Sequence, residues 1–140
     1  MIQMPETPTP TRDLRRDDGR ESVLMVEDNA EVRTMGATLL EEAGFEVHQA
    51  GDADEALALV AEGLSFDVLF TDIVMPGAMD GVALAAEVRR LRPGTPVLLT
   101  TGWGDRSDDR GGLELIGKPY RSPDLMRKIR AVLDEPQPPI

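Results

Sequence analysis

Val23-Leu24-Met25-Val26-Glu27-Asp28 sets a continuous apolar run directly against two carboxylates. A run of that kind reads as a strand buried on both faces, as in a parallel sheet. Outward from it the chain alternates. Val32, Met35, Gly36, Leu39, Leu40 and Ala43 recur at helical spacing and predict one buried face, with Gly44 as the C-cap. Phe45–Ala50 reads as a strand, and Ala56, Leu57 and Val60 as a helix face starting near Asp52 and ending at Gly63. Val68-Leu69-Phe70 is a second buried strand, running into Thr71-Asp72. Leu84, Ala85, Val88 and Leu91 predict a third helix, stopped before Pro93. Val97-Leu98-Leu99 is a strand ending in Thr100-Thr101, and Leu113–Ile116 a brief one ending in Gly117-Lys118-Pro119. Leu125, Ile129, Val132 and Leu133 form a last helix, with Ser122 as N-cap and Pro123 at its first position. The fold class is α/β, a doubly wound five-stranded parallel sheet covered on both faces. Residues 102–112 are rich in Gly and Asp and show no helix face, so the fourth helix is expected to be short or irregular.

Composition bounds the rest. A chain of 140 residues is one domain with tails, and 41% hydrophobic residues supply its core. Residues 1–21, with Pro5, Pro8, Pro10 and a mixed-charge run, read as a disordered or linker arm; residues 22–134 are the domain; residues 135–140 are a Pro-rich tail. A formal net charge of −11 repels phosphate backbones and anionic lipid, which argues against nucleic-acid binding and membrane-surface contact. Without cysteine there is no disulfide and no thiolate ligand. No apolar run is long enough to span a bilayer, and no secretory signal pattern opens the chain, so the expected compartment is cytoplasmic.

Doubly wound sheets place ligands at the carboxyl ends of their strands. There the sequence sets Glu27-Asp28, Asp72, Thr101 and Lys118. Converging carboxylates repel one another unless a cation joins them, and hard oxygen ligands suit Mg²⁺. An ammonium and a hydroxyl beside them suit a phosphoryl group, and the set together describes an aspartyl-phosphate site. Each residue alone has a plainer reading. Asp28 could cap the next helix, Asp72 could open a turn before Pro76, Lys118-Pro119 could be an ordinary loop, and Thr100 is as good a candidate as Thr101. The joint arrangement favours the site.

Val26-Glu27-Asp28-Asn29, Asp72-Ile73-Val74-Met75-Pro76 with Asp80-Gly81, Thr100-Thr101-Gly102 and Gly117-Lys118-Pro119-Tyr120 together resemble the response-regulator receiver domains of bacterial two-component signalling. The resemblance covers about residues 22–134 and implies a flavodoxin-like (βα)5 fold. It implies Asp72 as phosphoacceptor, Thr101 as the hydroxyl switch residue and Lys118 as the phosphate partner, with a Lys118-Pro119 bond that is usually cis. It further implies a Mg²⁺ site built from Glu27, Asp28, Asp72 and the backbone carbonyl of Val74. The phosphodonor implied is a sensor histidine kinase or a histidine phosphotransfer domain, acting in trans. Leu69-Phe70-Thr71-Asp72 and Leu98-Leu99-Thr100-Thr101-Gly102-Trp103 are most similar to receivers of hybrid sensor kinases. With six residues after position 134, no DNA-binding output domain is expected, so output runs through protein contact or phosphorelay.

Three departures concern the signalling face rather than the chemistry. The loop after Met75 is one residue longer than the family's commonest. Leu115 stands where most members carry Tyr or Phe. Only 16 residues separate Thr101 from Lys118. Two other functions compete: a pseudo-receiver that binds partners without phosphorylation, and a Mg²⁺-dependent aspartyl-phosphate phosphohydrolase. The latter carries a general acid two positions beyond its nucleophile, where this chain has Val74, so no enzyme is expected beyond slow self-dephosphorylation. The resemblance implies that Val74 and Trp103 flank the water approach to Asp72, and neither side chain can orient a water. His48 reads as structural with no acidic partner, the methionines as core filler, and Arg89-Arg90 as a solvated face.

Overall fold

The computed structural model describes residues 20–102 and 113–134. The N-terminal arm up to residue 19, the expected irregular fourth helix with Trp103, and the Pro-rich tail lie outside the described residues. Five strands and four helices are described: β1 (Ser22–Val26), α1 (Ala30–Glu42), β2 (Glu46–Ala50), α2 (Ala53–Ala61), β3 (Val68–Asp72), α3 (Gly81–Leu91), β4 (Val97–Thr101), β5 (Glu114–Gly117) and α4 (Ser122–Asp134). All strand pairs are parallel, in the order β2-β1-β3-β4-β5. The chain therefore winds outward from β1 in both directions, and the reversal beside β1 opens the crevice where such sheets bind ligands.

Alternation along the strands divides the core into two layers. Leu24, Val26, Leu69 and Leu99 face α2 and α3, whereas Val23, Met25, Phe70 and Leu98 face α1 and α4. This two-sided burial is why β1, β3 and β4 read as unbroken apolar runs. Asp52 caps α2 as its position suggested, accepting from the Glu55 amide at 2.8 Å.

Several expectations are corrected. The buried face of α1 is Gly36, Ala37 and Leu40; Met35 is 47% exposed and Ala43 also points outward, so Met35 is not core filler. Leu91 at the end of α3 is exposed too. Phe45 is buried but precedes β2 rather than belonging to it. Ser122 lies inside α4, whose first backbone bond runs from the Leu125 amide to the Arg121 carbonyl, so Arg121 holds the cap position. Arg89 is not a solvated residue. Its Nε donates to the Thr95 carbonyl at 2.9 Å, and burial lowers its pKa, whereas Arg90 is exposed and pairs with Glu87. His48, on edge strand β2, does have an acidic neighbour, with Nε2 at 3.8 Å from Glu46. Glu21, the last residue of the expected arm, is bound into the domain: its carbonyl accepts from Glu46 and its carboxylate pairs with Arg130 at 2.7 Å.

Candidate functional site

The site residues stand at or just beyond the carboxyl ends of the strands: Asp72 and Thr101 close β3 and β4, and Glu27 and Lys118 follow β1 and β5. Glu27 follows β1, its amide bonded to the Ala50 carbonyl at 3.0 Å, and is only 1% exposed. Its Oε2 accepts from the Asn29 amide at 3.1 Å, and its carbonyl accepts from the Arg33 guanidinium at 2.6 Å. Asn29, not Asp28, caps α1, accepting from the Val32 amide at 3.0 Å. Asp28 is thereby left exposed, with its side chain available to the cleft. Asp72, the last residue of β3, is 4% exposed, and its Oδ1 accepts from the Val74 amide at 3.3 Å.

Lys118 closes the set. Its amide donates to the Thr101 carbonyl at 2.8 Å, and the Lys118-Pro119 peptide bond is cis. Its ammonium lies 2.7 Å from Glu27 Oε1 and 2.9 Å from Asp72 Oδ2. Oxygens of Glu27, Asp28 and Asp72 all fall within 4.8 Å of one another. One ammonium thus serves two buried carboxylates, with a third at the rim. The consequence shows in Asp72: burial pushes its pKa up, Glu27 adds to this, and Lys118 and the Val74 amide only partly oppose them. Lys118 is displaced upward as well, because its bonds to Glu27 and Asp72 outweigh the burial that would lower it.

The cleft is lined by Glu27, Asp28, Asn29, Val32, Asp72, Val74, Gly102 and Lys118. Val74 is 63% exposed at its mouth. Thr101 is buried at the end of β4, its hydroxyl making one long bond of 3.5 Å to the Gly102 carbonyl. Thr100 is the residue in register with Asp72. Leu115 is half-buried against the α2–α3 layer.

The backbone beneath Asp72 is held by Gly81. Its amide donates to the Ile73 carbonyl at 2.7 Å, and a Cβ on Gly81 would run into the Asp72 carbonyl oxygen. That obstacle is backbone and cannot rotate away. Gly81→Ala is expected to cost about 1–3 kcal/mol in urea denaturation; a variant of parental stability would show that the loop yields freely.

Sequence reading gave no role at the site to three supporting residues, though it placed Gly36 on the buried face of α1 and Tyr120 in the Lys118 motif. Arg33 had no local signal, since its target is a backbone carbonyl. Tyr120 packs edge-on against Phe70 at 5.5 Å between centroids. Gly36 did carry a signal, as a glycine inside a helix, and it faces the Tyr120 hydroxyl.

Residues 23–130 match the family model of the response regulator receiver domain. The chain belongs to this family. It is 37% identical over 119 residues to a probable transcriptional regulator, ycf27, of Guillardia theta, covering 81% of this chain and 46% of that protein. It is 30% identical over 123 residues to the sensor kinase CckA of Brucella abortus, covering 84% of this chain and 13% of the kinase. Among solved structures, the chemotaxis response regulator CheY4 of Vibrio cholerae superposes with a TM-score of 0.71 at 32% identity, covering 81% of this chain and 99% of that one. The chain spans about half or less of the length of the curated relatives it matches. As a receiver domain it is a phosphoacceptor signalling domain, of a family that binds Mg²⁺ at an acidic pocket and interacts with histidine kinases. Among the described residues no helix is long and apolar enough to cross a membrane.

Proposed function

We propose that Asp72 of this receiver accepts a phosphoryl group from a phosphohistidine on a sensor histidine kinase or histidine phosphotransfer domain, in trans and in the cytoplasm. The supporting observation is the Lys118 ammonium shared between Asp72 and Glu27, with Asp72 Oδ1 on the cleft. In the transfer an Asp72 carboxylate oxygen attacks phosphorus, the P–N bond of the protonated phosphoimidazole breaks, and imidazole leaves neutral. Lys118 then moves its charge to the phosphoryl oxygens, and the Thr101 hydroxyl gives up its long bond to Gly102 to join them. The sequence's one histidine lies on β2, away from any helix face, which is why the donor is placed on another protein or domain.

The residues present fit Mg²⁺. Three carboxylates lie within 4.8 Å of one another and one ammonium bridges only two of them, leaving the pocket with excess negative charge and oxygen donors only. Glu27, Asp28, Asp72 and the backbone carbonyl of Val74 would hold the ion. When bound, it supplies charge neutralisation for the incoming phosphoryl oxygens. The domain is a switch rather than an enzyme, because Val74 offers no general acid beyond Asp72. Its output is protein contact or phosphorelay.

Acetyl phosphate with Mg²⁺ is expected to label the parent with a hydroxylamine-sensitive acyl phosphate on the peptide containing Asp72, and EDTA to prevent it. A parent that stays unlabelled would overturn the reading in favour of a pseudo-receiver, and one that labels equally in EDTA would overturn the part given to Mg²⁺.

A further inference from the structure

Beneath the acidic pocket lie two polar groups of complementary chemistry. Tyr120 Oη is buried with no hydrogen-bond partner among the described residues, and Glu27 Oε1 meets only the ammonium of Lys118, as an ion pair at 2.7 Å. One can donate and the other can only accept. Both belong to the same layer. Met25 is in register with Phe70, so alternation sends Glu27 and Asp72 to the face that Phe70 shares with Tyr120. Room for the phenol is reserved on the helix above it, where a Cβ on Gly36 would sit 2.5 Å from Tyr120 Oη. A phenylalanine would fill the same ring contact without burying an unpartnered hydroxyl, so packing alone gives no reason for the oxygen.

Resting on the Mg²⁺-site reading above, we propose that Tyr120 is a positioning residue for Glu27: its hydroxyl donates to the Glu27 carboxylate when Mg²⁺ draws that carboxylate off the Lys118 ammonium. Glu27 is 1% exposed, so water does not replace the ammonium, and a carboxylate without a donor would rotate away from the metal. The phenol is suited to the task because its acidity is suppressed. Burial first, then the charges of Glu27 and Asp72, push its pKa up to about 12, so it keeps its proton.

The test is Mg²⁺ titration by calorimetry without any phosphodonor, on the parent, Tyr120→Phe and Thr100→Val. Tyr120→Phe is expected to bind Mg²⁺ about tenfold more weakly, the low end for an outer-shell partner. Its metal-free melting temperature should be unchanged or raised, which a structural hydrogen bond would not allow. Thr100, whose buried hydroxyl also lacks a partner among the described residues, is the competing donor. Parental affinity in Tyr120→Phe, or weakening confined to Thr100→Val, overturns the inference and leaves the metal site standing. A parent that does not bind Mg²⁺ overturns both.

Discussion

Asp72→Asn is expected to abolish acyl-phosphate labelling and, in metal-free protein, to raise stability at neutral pH. The amide has no anionic oxygen to attack phosphorus, so the loss is complete rather than graded. The stability gain follows from the direction of the Asp72 shift. Its pKa in the folded protein is raised above the ordinary carboxyl value of 3.8, by burial first, with the charge of Glu27 adding to it. The folded state therefore holds that proton more tightly than the unfolded chain, and ionising Asp72 works against folding. The penalty is absent below the unfolded pKa, grows as pH rises, and is fully present above the folded pKa. Asn carries no such penalty. Urea denaturation in EDTA, compared between variant and parent from acid to neutral pH, should show a difference that widens as pH rises. A difference that narrows would mean that Lys118 favours ionised Asp72 more than burial disfavours it. Acyl-phosphate labelling in the variant at the parental level would move the acceptor elsewhere.

The same burial explains what the sequence could and could not disclose. β1, β3 and β4 were legible because both faces are covered, which leaves runs such as Val23–Val26 with no polar interruption. The carboxylates at their ends were legible for the same reason, since Glu27, Asp28 and Asp72 begin where the apolar runs of β1 and β3 stop. The facing of α1 was not. Counting large apolar residues turned Met35 inward, whereas close approach to Met25 and Tyr120 selects small ones, and Gly36 and Ala37 take the buried positions. Caps separated along similar lines. Asp52 stands alone before its helix, but Asp28 and Asn29 are adjacent and only geometry assigns the cap to Asn29. Arg33 on the Glu27 carbonyl and one ammonium between two carboxylates are relations across the chain, and no local pattern encodes them.

Lys118→Ala should be costly to the metal-free fold and more costly still to phosphorylation. With Glu27 and Asp72 both buried on its ammonium, removal leaves two carboxylates uncompensated, and breaking such a pair costs about 3 kcal/mol. The raised pKa of Lys118 gives the sign on the alkaline side: its contribution is whole below the ordinary lysine value of 10.5 and fades as pH rises through the folded value. On the acid side the deficit of the variant shrinks as the carboxylates take up protons. Mg²⁺ answers the same unmet charge, so the ion should stabilise Lys118→Ala more than it stabilises the parent, where the ammonium competes for the same oxygens. Binding should tighten while labelling by acetyl phosphate falls by about a hundredfold, the scale for losing one charge donor at a reacting oxyanion. The opposed directions separate this from simple damage, which would weaken both. Denaturation in EDTA and in Mg²⁺, with labelling rates on the same preparations, decides it: a variant as stable as the parent without metal, labelling at the parental rate, would remove Lys118 from the site.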